Sequence, residues 1–327
     1  MSTRPERTAA DSAVAAGRPL VGYLGPAGTF TEQALLASAA PDSVEPVALA
    51  SIYETVIALR DGASIFDDDA SPEGELSWAL VPIENSLDGS ISVTLDLLVG
   101  EASDVKIVGE ALLRVHHCLI AAERVPLAEI DTVITHPQVP GQCTRLLHGA
   151  LAHASVLPAS STAEAVRSVV SEGRRGHAAL GTALAASIYG GTIISENVED
   201  RADNETRFVW LARPSGESAH GPKYEQPPLR TLGTEWKTSL AFWGTGAARP
   251  GWLVHCLDEF ARREINLTKI ESRPSRQGMG DYVFFIDLAG RAQDQPVAQA
   301  LAGLTASCER VLVLGSYPAA QASAAQA

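Results

Sequence analysis

Apolar residues along this chain fall into two rhythms: short continuous runs, and longer stretches with the three-and-four spacing of one helix face. Val21 to Leu24 is a short run that stops at the turn Gly25-Pro26-Ala27-Gly28. Thr29 followed by Glu32 makes a capping-box pattern and predicts a helix through Ala40. Ser51 to Arg60 has the spacing of a second amphipathic helix. The polar stretch 62–77, with Asp67, Asp68 and Asp69, predicts a solvated surface insertion rather than a metal site. Trp78 to Ile83 is then an apolar run that predicts a buried strand. Alternation of this kind predicts an α/β sheet with helices on both faces.

The pattern changes partner near residue 101. Lys106 to Ala121 is strand-like, Thr132 to Thr135 is another strand, and Gln142 to Ala152 is helical. Ser161 and Glu164 form a further capping box heading the helix 163–172, followed by a strand at 178–181 and a helix at 182–189. The chain then returns to the first unit. The expected organisation is lobe one at 19–100 and 191–213, with lobe two at 101–190. A unit traversed twice in this way makes a hinged, periplasmic-binding-protein-like cleft. Residues 214–236 are rich in Pro, Gly and Ser and predict a linker. Beyond them the order is strand (238–243), helix (251–264), strand (267–273), strand (282–288), helix (296–307), strand (311–317). That βαββαβ series over 237–318 is ferredoxin-like. Residues 1–18 and 319–327 are expected to be disordered tails.

Composition narrows the class. A chain of 327 residues exceeds one hydrophobic core, and 46% apolar with 20% charged residues fits a soluble globular protein. No apolar run approaches the ~20 residues that span a bilayer, and the first eighteen residues lack a signal-peptide core, so a cytoplasmic location is expected. Cys118, Cys143, Cys256 and Cys308 have no paired spacing and are expected to be reduced thiols. Of the net charge of −14, the part from Lys237 onward contributes +1, with nine Lys and Arg against eight Asp and Glu. The acidic remainder argues against a nucleic-acid partner, which needs phosphate neutralisation. It also means that a small anionic ligand must be captured by local donors.

Helix N-termini are such donors. Four are predicted, after Gly28, after Gly89-Ser90, after Pro140-Gly141 and after Ser161-Thr162. His116-His117-Cys118 invites a metal, but only His116 and Cys118 share a strand face, and a buried strand is the expected reading. Gly244-x-Gly246 is half a dinucleotide fingerprint that Arg249 interrupts. Neither metal nor organic cofactor is expected.

Asn204-Glu205-Thr206-Arg207-Phe208 and, later, Leu267 to Pro274 (Leu-Thr-Lys-Ile-Glu-Ser-Arg-Pro) carry a resemblance, in this order, to the prephenate dehydratase family. Gly22-Tyr-Leu-Gly-Pro-Ala-Gly-Thr-Phe30, Val81-Pro-Ile-Glu-Asn-Ser86 and Thr135-His-Pro-Gln138 extend it over residues 20–317. The resemblance implies decarboxylating dehydration of prephenate to phenylpyruvate, in a two-lobed domain followed by a phenylalanine-sensing ACT domain. It implies a monofunctional enzyme, since the residues before 20 are too few for a fused chorismate mutase bundle. It places Thr206 at the departing hydroxyl. Substrate contacts are implied for Glu84, Asn85, Ser86, Thr135, Gln142, Ser161, Thr162, Asn204, Arg207 and Phe208. Strand alternation sends Thr206 and Phe208 to one face and Arg207 to the other, so Arg207 either clamps a carboxylate or braces the lobe. The implied effector contacts are Gly251, Trp252, Leu253, Val254, Asn266, Leu267, Glu271, Ser272, Arg273 and Pro274. Trp252 stands where the family has a small residue, and either narrows the phenylalanine pocket or packs outward. A homodimer or homotetramer is implied by the way ACT sheets pair. Arogenate dehydratase and a non-catalytic amino-acid sensor are the alternatives.

Overall fold

A computed structural model of the chain describes residues 18–62, 74–218, 221–231, 233–244, 249–275 and 281–320. The Asp67, Asp68 and Asp69 segment, Gly246 and the tails 1–17 and 321–327 lie outside them.

The strands are β1 (Leu20–Leu24), β2 (Glu45–Leu49), β3 (Leu76–Asn85), β4 (Gly89–Ser90), β5 (Lys106–Arg114), β6 (Cys118–Ala121), β7 (Thr132–Thr135), β8 (Ser155–Pro158) and β9 (His177–Gly181). They continue as β10 (Thr192–Ser195), β11 (Glu205–Ala212), β12 (Pro214–Ser218), β13 (Gly221–Tyr224), β14 (Trp236–Trp243), β15 (Leu267–Pro274), β16 (Tyr282–Ala289) and β17 (Arg310–Pro318). The helices are α1 (Phe30–Ser38), α2 (Ile52–Asp61), α3 (Ser92–Val99), α4 (Thr144–His148), α5 (Thr162–Glu172), α6 (Ala183–Tyr189), α7 (Trp252–Ala261) and α8 (Gln295–Ser307). None of them is long and apolar enough to cross a membrane.

Lobe one is built on β5-β11-β3-β1-β2, and lobe two on β10-β6-β9-β7-β8. The expected strand over 106–121 is two strands. Its first half pairs with β11 in lobe one, and its second half pairs with β9 and β10 in lobe two. The border expected at residue 101 therefore moves to residues 115–117, and the return moves from 191 to about 204, because β10 stays with lobe two. Among the described residues the polypeptide crosses between lobes at these two places. The Val115 N–H donates to Asn204 O at 2.9 Å and ties the crossings together.

Alternation along β11 sorts its side chains as expected. Phe208 and Trp210 enter one core with Tyr23 and Leu35, under α1. Val209 and Leu211 enter another with Leu95 and Leu98 of α3. Each fully buried side chain of this size contributes about 1.5–3 kcal/mol. Lobe two buries α5 and α6 on one sheet face and α4 with its flanking loops on the other. The turn at Gly28 docks on lobe two: Thr182 Oγ1 donates to Gly28 O at 2.6 Å, and a Cβ on Gly28, whose φ is +87°, would lie 2.8 Å from Ala185.

The C-terminal unit has strand order β15-β16-β14-β17, all antiparallel, with α7 and α8 on one face, which is ferredoxin-like. Its other face is not solvated. Val283, Phe285, Leu314 and Tyr317 share a core with α3 and β3 of lobe one. β17 also pairs with β5 at Gly315 and Ile107, so the two sheets form one continuous surface. Only glycine permits this approach, because a Cβ at 315 would lie 2.1 Å from Ile107 O. The expected linker is partly regular. Residues 214–224 form the hairpin β12–β13, and Leu229 bridges to Ala39 on the back of lobe one. Its turn residues were legible, but the pairing of such short strands was not.

Candidate active site

A cavity of about 920 Å³ lies between the lobes, in the size range of small-ligand sites. Its walls include Thr29, Phe30 and Thr31 at the start of α1, Ser90 and Ile91 before α3, and Ser160, Ser161, Thr162 and Glu164 at the start of α5. Three of the four expected helix N-termini thus converge on one space. The α4 terminus also lies close, through Val139 and Gln142, but its first N–H groups are taken. Thr144 and Arg145 donate them to the Asp200 carboxylate at 2.8 and 3.0 Å. The Thr144 hydroxyl first, and then these N–H groups, outweigh desolvation and hold the Asp200 carboxyl down at about 2.

No Lys or Arg lines this cavity among the described residues; its ionisable groups are Asp88, Glu164, His117 and His136. Any anion held here is held by dipoles and hydroxyls.

At the hinge a chain of amides fixes its own direction. Asn85 Oδ1 accepts the Leu87 and Asp88 backbone N–H groups at 2.9 and 3.0 Å, so its Nδ2 must point the other way. Asn85 Nδ2 donates to Thr206 Oγ1 and to Asn204 Oδ1, both at 2.9 Å. Asn204 Nδ2 then donates to Gln142 Oε1 at 3.0 Å, and His117 Nε2 meets that same oxygen at 3.1 Å. Gln142 Nε2 is left to face Asp88, at 3.2 Å. Because Thr206 Oγ1 accepts a hydrogen bond from Asn85, its own hydroxyl proton is free to be donated into the cavity.

Thr206 lines the cavity, as do Asn85, Gln142, Ser161 and Thr162 of the expected substrate contacts, and the other contacts do not. Asn204 acts behind Asn85. Ser86 braces β11, its Oγ accepting the Glu205 N–H at 2.9 Å. Thr135 is buried and donates to Leu180 O at 3.0 Å. Phe208 is core.

Arg207 braces the lobe and clamps nothing in the cavity. Its Nε donates to Glu110 at 2.7 Å, Nη1 to Asp287 at 2.5 Å, and Nη2 to the Tyr317 hydroxyl at 2.7 Å. Burial alone would lower its pKa, but Tyr317, Asp287 and Glu110 outweigh that and hold the guanidinium charged. Glu84 pairs with Lys269 at 3.2 Å on the same side. His117, read from the sequence as plain core, lines the cavity although it is only 1% exposed. Asp88, Ser90, His136 and Glu164 were also missed, and only the helix starts had hinted at this neighbourhood.

The ten expected effector residues do not share one face. Glu271 and Arg273 turn toward lobe one. Glu271 bonds Ser90, while Arg273 reaches Ser92 at 2.6 Å and Asp96 at 3.1 Å. Trp252 packs inward on Phe242 and Phe284, with ring centroids 6.0 and 5.9 Å away, and its Nε1 donates to Ser307 O.

A family model described as prephenate dehydratase matches residues 21–216, and one described as the ACT domain matches residues 248–305. A prephenate dehydratase of Mycolicibacterium vanbaalenii is 37% identical over 313 residues, covering 92% of this chain and 91% of that one. A crystal structure of the Arthrobacter aurescens prephenate dehydratase in complex with L-Phe is 32% identical, with TM-score 0.75 and 93% of each chain covered. A solved structure described as a novel type of quorum-quenching acylase is 27% identical, also with TM-score 0.75, covering 92% of this chain and 98% of its own. The cleft with its directed threonine and the ferredoxin-like unit behind it are those of a chain that belongs to the prephenate dehydratase family and carries an ACT domain.

Proposed function

We propose that the cleft converts prephenate to phenylpyruvate, carbon dioxide and water, under control of phenylalanine. The observation that carries this is the fixed polarity of the hinge chain, which makes Thr206 a hydrogen-bond donor on the wall of a cavity that no Lys or Arg lines among the described residues. As the bond to the ring carboxylate breaks, its electron pair enters the ring and expels the hydroxyl at the opposite carbon. Aromatisation drives the step, so the protein has to orient the dianion and assist the departing oxygen. The N-termini of α1, α3 and α5 suit the carboxylates, and the Thr206 hydroxyl suits the leaving group.

The test is ultraviolet detection of phenylpyruvate from purified protein and prephenate, with and without phenylalanine. Arogenate in parallel would yield phenylalanine and distinguishes the transaminated substrate. A pure amino-acid sensor would bind without turnover. The acylase relative justifies an amide-hydrolysis arm. Against that chemistry stands Thr206 itself: its oxygen accepts from an amide and meets no proton-abstracting base among the described residues, unlike an acyl-transfer nucleophile.

The regulated state is a homodimer or larger in this reading. Among the described residues β15 is a free edge of the continuous sheet, at its ACT end; Ile270 within it and Val254 of α7 are 52% and 71% exposed. A free edge with an exposed isoleucine is the surface on which a second copy would add its own sheet, with effector at the junction near Gly251, Ser272 and Pro274.

A further inference from the structure

His117 is almost fully buried, and its Nδ1 has no hydrogen-bond partner. A buried polar atom left unpaired costs free energy, so a ring chosen for packing alone would be better replaced by Leu or Phe. Something must favour imidazole here. Its other nitrogen gives the reason. Gln142 Oε1 already accepts from Asn204, and an oxygen cannot donate, so the proton in the 3.1 Å contact belongs to His117 Nε2. That fixes the tautomer and leaves Nδ1 as a bare lone pair. Burial, first among the causes, lowers the pKa of His117 and keeps the ring neutral, with Gln142 and Glu199 partly opposing it. The ring is held from behind: its backbone N–H donates to Glu199 Oε2 at 2.9 Å, and Phe30 packs edge-on at 5.3 Å between centroids.

His117 and Gln142 approach the hinge from lobe two, while Asn85 and Thr206 belong to lobe one. Two anchors therefore set the direction of the polar chain. One is the turn at 85–88, and the other is His117. If Gln142 loses the second anchor, its Oε1 keeps only the Asn204 donor, and the amide is held by that bond and by the 3.2 Å bond from Nε2 to Asp88, which leaves it freer to shift at the lobe junction. Asn204 then loses support on its far side, and the turn at 85–88 alone aims Asn85 Nδ2 at Thr206.

We propose that His117 is a positioning residue, which through Gln142, Asn204 and Asn85 keeps the Thr206 hydroxyl oriented as a donor. This deepens the reading of Thr206 given above and rests on it. The chemistry required of residue 117 is one N–H at the place of Nε2, with no charge and no contact with substrate. Gln can supply that N–H, whereas Leu cannot, and Asn carries its amide nearer the place of Nδ1.

The experiment measures kcat and KM on prephenate, with thermal midpoints as the folding control, for H117L, H117Q, H117N, T206A and H117L/T206A. The expected result is a roughly ten- to hundredfold fall in kcat for H117L with little change in KM, the size of one lost buried partner. H117Q recovers most of that loss, and H117L adds almost nothing in the T206A background. Wild-type turnover in H117L would overturn the proposal. So would an H117Q as slow as an H117L that folds equally well, or an H117L penalty that persists in full on T206A. If H117L does not fold, H117Q and H117N decide: turnover kept only in H117Q supports the proposal, and equal turnover overturns it. Wild-type turnover in T206A alone would remove the parent reading and His117 with it, whereas a crippled T206A with an additive H117L removes only His117.

Discussion

Arg207 of β11 and Asp287 of β16 meet at 2.5 Å, across the boundary between the catalytic sheet and the ACT sheet. Arg207 follows Thr206 in sequence, so the strand that presents the hydroxyl on one face is bolted to the regulatory unit on the other. Glu110 completes the joint, receiving Arg207 at 2.7 Å and Lys237 at 2.8 Å. Removing Arg207 leaves Glu110 and Asp287 buried with one partner fewer, which costs about 3–5 kcal/mol. R207M is therefore expected to lower stability by that amount in urea unfolding. R207K, which keeps the charge but loses the planar fork, is expected to fall between R207M and wild type.

T206A tests the other face of the same strand. One directed donor to a leaving oxygen is worth about 10²–10³ in kcat. T206A is expected to lose that factor while KM shifts little, because Thr206 is one of many cavity contacts. Steady-state kinetics on prephenate reads both numbers, and an unchanged kcat would exclude the hydroxyl from the mechanism.

Gly315 tests whether the two sheets must touch. A methyl group at 315 would be driven into Ile107 O, so β17 has to move away from β5. G315A is expected to cost about 1–3 kcal/mol. It should also weaken the response to phenylalanine while leaving basal turnover near normal. Comparing thermal midpoints and phenylalanine titrations of the two proteins checks both parts.

These sites differ in how far the sequence revealed them. The ACT unit was legible almost strand for strand, because its elements are short, regular and consecutive. Thr206, Asn85 and Gln142 were named by resemblance, and all three lie on the cavity wall. The β11 alternation correctly sent Arg207 away from Thr206, but periodicity could not say what Arg207 would meet, since Asp287 and Tyr317 lie in another domain. The run 106–121 read as one strand because both halves are equally apolar, and nothing in it says that residues 115–117 pass from one sheet to another. His117 was correctly read as buried. Its importance comes from Gln142 and Asn204, which only the fold brings to it.

The edge β15 offers a test of assembly. A charge at Ile270, the exposed apolar position of this edge, opposes pairing with another sheet while barely disturbing the monomer. I270E is expected to shift the protein toward monomer in light scattering and to abolish the phenylalanine response. A variant that stays oligomeric and regulated would place the seam elsewhere.

Acidification should be felt at His117. Its pKa lies below the ordinary value of about 6.5, chiefly through burial, so below that pH the unfolded chain takes up a proton that the native ring refuses. The sign follows: in the window between the lowered value and about 6.5 the unfolded state binds more protons, and stability falls as pH falls. The slope contributed by one such group approaches about 1.4 kcal/mol per pH unit within the window and vanishes above it. Other groups titrate in the same range, so the informative quantity is a difference. Urea unfolding of wild type and H117Q at pH 7.5 and pH 5 should show the smaller pH penalty in H117Q, because Gln keeps the N–H and cannot be protonated. Equal penalties would mean that the native ring accepts its proton freely, and that its neutrality is not part of the site.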